Sequence, residues 1–297
     1  MQEVSKSIKE LAKEAFRKMG FEVRRASSQS EGPPRIFDNA FEALHYHNGG
    51  RRASFYCPLD MCVTFNGFNF SETGWHPFSA ASQEYADGVS STYKDSCLER
   101  FYDAWQPQNA FEALFGPDSC GPESLMSLPA FLRPVPWSSY TIEEHASYKW
   151  RIWKKENAEH GYPNVDQSFG HKFHGPVHPV KGRIEFERLT TVYKSIQRKG
   201  YLRKHGDVRG CLLKRGGDMR FMIIGGFHRA AVMHVLSDGF IPVTFSSGIS
   251  APLYDIDDVS HWPQVKSGLW TERWAEKYID HIFDFDPLQW AVKNQVD

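Results

Sequence analysis

Residues 219–236 read MRFMIIGGFHRAAVMHVL, and the fold turns on how this stretch divides. Arg220 to Ile224 is an apolar run of strand length, while Ala230 to Leu236 has the composition of a helix. Between them Gly225-Gly226-Phe227-His228-Arg229 permits a tight turn, so the spacing predicts a strand passing directly into a helix. The N-terminus of a helix presents unpaired N–H groups and a partial positive charge, and such a junction forms an anion site whose natural occupant is phosphate. Arg229 offers a bidentate fork to phosphate oxygens, and His228 a donor whose charge is adjustable near neutrality. The same five residues also fit an ordinary turn with a solvated His and Arg.

Working outward, VRGCLL (208–213) and RFMII (220–224) flank the turn signal KRGGD and predict a hairpin. Upstream, Glu185, Leu189, Val192 and Ile196 share one helical face in EFERLTTVYKSIQRKG, which Gly200 closes. Downstream, GFIPVTF (239–245) reads as a short buried strand, and two helical segments follow Trp262. The long Gly/Pro/His segment 161–182 is expected to be a functional loop or linker, which puts domain boundaries near 161 and 250. Three parts result: 1–160, 161–250 and 251–297.

The first part reads as a helix over 3–19, a polar connector over 24–35, a short helix over 36–48, and strands and turns over 51–70. Residues 75–137, rich in Trp, Pro and Gly, predict helices joined by extended connectors. Thr141 and Glu144 have the spacing of a capping box and open a helix over 141–158. The class expected is α+β, a small mixed sheet with flanking helices preceded by a mostly helical, aromatic- and proline-rich region.

Composition limits the function. The chain has 297 residues, with 35 basic side chains against 36 acidic ones and a net charge of -1, so it has no overall field for coating nucleic acid or an anionic membrane. The mean hydropathy is -0.51 and no long apolar run occurs, which points to a soluble protein without a membrane span. The first twenty residues lack the apolar stretch of a secretory signal, and a cytoplasmic location is expected. Five cysteines without a CxxC pair make a poor disulfide framework. His45-x-His47 and Cys57-x4-Cys62 have unusual spacings for zinc, and no resident metal site is expected. No P-loop, GxGxxG, HExxH or GxSxG motif occurs.

The succession ERLTTVYKSIQRKGY, VRGCLL and MRFMIIGGFHRAAVMHVLSDGFIPVTF resembles the core of the ParB/sulfiredoxin superfamily, over roughly residues 176–247. The resemblance implies a nucleotide-binding fold in which Gly225, Gly226, His228 and Arg229 cradle the phosphates of ATP, ADP or CTP, with a divalent cation such as Mg2+. Sulfiredoxins carry a reactive cysteine where Phe227 stands, and Cys211 lies well before the box, so that thiol chemistry is not expected. ParB proteins usually continue into a basic helix-turn-helix module, whereas the residues after the last strand here are rich in aspartate, and nucleic acid is not an expected partner.

The remaining branch comprises the ParB-like small-molecule kinases, in which a carboxylate before the first helix deprotonates an acceptor hydroxyl. By spacing from Ser195 that position falls at Gly182 or a neighbour, which has no carboxylate. Glu185, one turn further on, is the substitute base, with His228 as its catalytic partner. Alternatively Glu185 and Glu187 are charges favoured by the helix dipole. His171, His174 and His178 have the types of a transition-metal set, but in a Gly/Pro-broken stretch they fit better as pocket or solvated histidines. His174, His178, Lys181 and Arg183 are therefore the candidate pocket residues. The expected activity is a nucleotide-dependent kinase acting on a hydroxyl of a small serine-like or sugar metabolite. The alternative is a CTP- or ATP-gated binding switch that modifies no metabolite.

Overall fold

In the computed structural model, which describes residues 33–237, 239–247 and 250–297, seven strands join one mixed sheet. They are β1 (Arg35–Phe37), β2 (Ala53–Pro58), β3 (Cys62–Val63), β4 (Val208–Arg215), β5 (Asp218–Gly225), β6 (Phe240–Phe245) and β7 (Leu253–Asp255). Their order is β1-β2-β6-β4-β5-β3, and β7 pairs with the later half of β4. The expected hairpin is β4–β5, in which Arg215 faces Asp218 across Gly216-Gly217. Successive side chains of a strand point to opposite faces. Leu212, Phe221 and Ile223 accordingly pack with Phe55 and Val243 on one side. Cys211, Leu213 and Met222 turn to the other, against Trp137, Tyr254 and Tyr278.

The helices are α1 (Ala40–Asn48), α2 (Pro77–Ala86), α3 (Cys97–Ala104), α4 (Ala110–Phe115), α5 (Glu123–Met126), α6 (Ile142–Glu159), α7 (Pro179–Lys199), α8 (Phe227–Leu236), α9 (Pro263–Lys266), α10 (Glu272–Asp284) and α11 (Pro287–Lys293). On the first face α2, α7 and α8 pack against one another, burying Phe78, Leu189, Ala230 and Ala231. On the second, α10 buries Ala275, Tyr278, Ile279 and Ile282, the i, i+3, i+4, i+7 stripe of an amphipathic helix. The fold is α+β, with helices flanking a mixed sheet. The Thr141–Glu144 capping box is formed at the start of α6. Among the described residues no helix is long and apolar enough to cross a membrane.

The structure departs from expectation at three places. Pro33–Asp297 is one compact unit without a break near 161 or 250. The first part, mostly helical apart from β1 and the strands expected over 51–70, joins the same sheet, because β2 and β3 pair with β6 and β5 from the other end of the chain. Strand partners far apart in sequence leave no local signal, so a linker-like composition was a misleading boundary. The segment 36–48 begins with β1 before Asn39 caps α1. Helix α7 starts at Pro179, well before Glu185, because proline suits a first helical turn and the His178 ring caps it by accepting from the Val180 N–H at 3.2 Å. The expected helix over 3–19 lies outside the described residues.

Candidate functional site

Strand β5 ends at Gly225, and Gly226 then takes a left-handed φ of 94° as the N-cap of α8. A Cβ at Gly226 would be strained in this conformation and would stand 3.1 Å from both Val208 Cγ2 and Arg229 Nη2. Gly225 lies opposite Arg209 of β4, whose guanidinium crosses so closely that a Cβ there would sit 2.7 Å from Nη2. No side chain caps α8, which leaves its first-turn N–H groups open to an external acceptor.

This junction forms part of the wall of a cavity of about 600 Å³. The lining includes Gly225, Gly226, His228 and six cationic side chains, Arg133, Lys149, Lys172, Arg188, Arg209 and Arg229, against two carboxylates, Glu156 and Glu187. Lys172 is already matched to Glu156, at 2.7 and 2.8 Å. Arg188 is matched to Glu185, and the excess of positive charge that remains, close to open helix N–H groups, favours an anion.

Behind the wall lies Glu185, wholly buried on α7. Its Oε1 accepts from Lys181 Nζ at 2.6 Å and from Arg188 Nη1 at 2.9 Å, and Oε2 lies 3.3 Å from His228 Nε2. Burial works to raise this carboxyl, but Arg188, the His228 contact and Lys181 outweigh it and hold it well below the usual carboxylate range. His228 rests on the Phe78 ring, with 12% of its side chain exposed. Burial lowers its pKa to about 4 despite the nearby carboxylate, so the imidazole is neutral at pH 7.

The sequence-derived site residues therefore separate into two groups. Gly225, Gly226, His228 and Arg229 meet at the cavity as expected, but Arg229 Nη1 also donates to the backbone carbonyls of Gly206 and His205, tying α8 to the turn before β4. Glu185 is close to His228, yet its oxygens face inward onto Lys181, Arg188 and His228, so it cannot itself take a proton from a ligand in the cavity. Of the four candidate pocket residues none lines the cavity. His174 is buried with Nδ1 3.0 Å from the Gly175 carbonyl oxygen, His178 caps α7, Lys181 is buried on Glu185 and Asn157, and Arg183 is exposed on α7. His174 lies in the loop before α7, while the early start of α7 makes His178 its cap and puts Lys181 and Arg183 on the helix. Gly182 has a packing reason: a Cβ there would lie 2.0 Å from Tyr93 Cζ. A carboxylate at Gly182 itself would displace the Tyr93 ring.

Arg133, Lys149, Arg188 and Arg209 were missed by sequence reasoning. Two of them carried a signal: Arg209 interrupts the apolar run VRGCLL beside a glycine, and Arg133 stands between apolar and proline residues in AFLRPVPW. A charge in such surroundings needs either a partner or a ligand. Compared with models of protein families, with curated proteins and with solved structures, the chain matches none.

Proposed function

We propose that this chain binds a nucleoside di- or triphosphate (ATP, ADP or CTP) with Mg2+ and transfers a phosphoryl group to a hydroxyl of a small metabolite. The observation that carries the reading is the uncapped N-terminus of α8 behind Gly225-Gly226, set in a cavity wall with six cations and two carboxylates. The succession α7, β4, β5, α8, β6 also supports kinship with the ParB-like small-molecule kinases. Phosphoryl transfer needs positioning and charge neutralisation more than covalent chemistry from the protein. In this reading the α8 N–H groups, Arg209 and Arg188 hold phosphate oxygens.

The proton acceptor is His228 rather than Glu185. The Glu185 carboxylate, 3.3 Å from Nε2 without a formed hydrogen bond, favours the tautomer protonated at Nε2, which leaves Nδ1 to receive the hydroxyl proton. Among the described residues no three His, Cys, Asp or Glu side chains group to hold a metal. Mg2+ commonly binds through phosphates and water with one or two protein carboxylates. Glu187, exposed on the cavity wall, is the carboxylate available for that role. The bound ion would neutralise phosphate charge.

Titrating the purified chain with ATP, ADP and CTP, with and without Mg2+, tests the binding. A metabolite mixture then tests transfer, read as a new phosphorylated species by mass spectrometry. Absence of binding by all three nucleotides would refute the reading. One observation, the blocking of Gly182 by Tyr93, favours the second reading, a nucleotide-gated switch; binding or hydrolysis without a phosphorylated product would select it.

A further inference from the structure

Arg133 is a buried cation without a counter-ion. Only 3% of the residue is exposed, and none of Nε, Nη1 and Nη2 has a hydrogen-bond partner among the described residues. Its guanidinium lies over the rings of Phe65 and Phe173, 4.3 and 4.8 Å from their centroids. These contacts cover π-surface but leave the N–H fork unused. A buried unsatisfied charge costs stability, so its presence calls for a function. Lys149 of α6 stands at the same place, and burial, reinforced by Arg133 and Lys172, holds its pKa well below the usual lysine value.

Arg133 and Lys149 line both the large cavity and a second one of about 140 Å³ that shares Tyr148, Phe173 and Phe227 with it. The second cavity is walled mainly by Phe65, Val135, Trp137, Met222 and Tyr254, with Ser138, Ser139, His145 and Ser250 also on its lining. Its volume is close to that of a pocket that holds a benzene-sized ligand, about 150 Å³. A buried guanidinium beside a half-buried lysine, at the mouth of a small and mostly apolar chamber, specifies an anion at one end and a compact hydrocarbon at the other.

We infer that Arg133 and Lys149 form a subsite for an organic carboxylate whose short, branched or ring-sized apolar body enters the second cavity. The planar guanidinium fork matches a carboxylate edge in bidentate fashion, and an apolar chamber of this size suits no inorganic anion. The binding of this carboxylate does not rest on the proposed function. Measuring it without nucleotide keeps the two failures apart.

The test is calorimetric titration of the full chain with benzoate and with 3-methylbutanoate, alongside benzamide as the neutral match of benzoate and inorganic phosphate as competitor. Both carboxylates are expected to bind, benzamide at least tenfold more weakly, and phosphate at equal concentration to leave them in place. Arg133→Met is expected to lose at least tenfold in carboxylate affinity while raising the Tm of the free protein, since it removes an unpaired buried charge. Benzamide binding as well as benzoate, displacement by phosphate, or an Arg133→Met protein that keeps its carboxylate affinity overturns the inference. If Arg133→Met does not fold, Arg133→Lys decides: unchanged affinity would show that the fork is not used.

Discussion

The Lys181 ammonium lies 2.6 Å from the Glu185 carboxylate, with 1% and 0% of the two side chains exposed. Asn157 of α6 accepts from the same ammonium at 2.9 Å, so the pair joins two helices on one side of the cavity. Because Glu185 also meets Arg188 and His228, a structural ion pair and the cavity wall share one carboxylate.

Breaking such a buried pair from one side strands a charge, which costs about 3–5 kcal/mol. In Lys181→Met the Glu185 carboxylate keeps Arg188, so the loss expected in urea melts is smaller, about 1.5–3 kcal/mol. Lys181→Met combined with Glu185→Leu should cost less than the sum of the two single variants. Strict additivity would show that the pair is not coupled.

Gly182 presents the opposite case, a helix residue whose missing side chain is filled by Tyr93. Glycine to alanine within a helix ordinarily stabilises by about 1 kcal/mol. Here Gly182→Ala is expected to destabilise by more than that gain, and to become neutral or stabilising in a Tyr93→Ala background, measured as a double-mutant cycle. The cycle reads directly whether the ring excludes a carboxylate from this position.

Arg209 and Arg229 should separate by role. Arg229 holds the carbonyls of Gly206 and His205, so Arg229→Ala is expected to lower stability by about 1–2 kcal/mol. Arg209, lying over Gly225, is expected to contribute to the ligand instead: Arg209→Ala should weaken nucleotide binding about tenfold, roughly 1.4 kcal/mol, with little change in the melting temperature. Gly225→Ala, which displaces the Arg209 guanidinium, should reproduce the binding loss.

Acid should unfold the protein early. Burial lowers the pKa of His145 and His174 to about 3 and of His228 and His281 to about 4, whereas the unfolded chain titrates near 6.5. Between those values the unfolded state binds more protons, so stability rises with pH and falls on acidification, by up to about 1.4 kcal/mol per pH unit for each histidine. Glu185 adds in the same direction at lower pH, its depressed folded pKa making stability that is present above the unfolded carboxylate pKa and lost as pH falls through the folded one. Urea midpoints from pH 7 to 4.5 should drop steeply with uptake of more than one proton; a flat profile would contradict the burial of these rings.

The local elements were legible because each has a local cause. The apolar runs VRGCLL and RFMII on either side of Gly216-Gly217 made the hairpin, Thr141 and Glu144 the cap of α6, and Gly225-Gly226 the passage from β5 into α8. What composition concealed was which segments meet. Residues 35–63 pair into the sheet from far away in sequence, and an early start of α7 carried His178 and Lys181 out of the cavity while bringing Arg188 to it.

The sequence alone thus determined the strand-turn-helix junction and its open N–H groups, since glycine conformation and hydrophobic period act over a few residues. Only the tertiary structure decided the charge of the site. Arg133, Lys149, Arg188 and Arg209 come from separate segments, and their exposure, pairing and pKa depend on what surrounds them after packing. For the same reason it assigned Glu185, the substitute base in the linear reading, to a buried position behind His228 with its oxygens on Lys181 and Arg188.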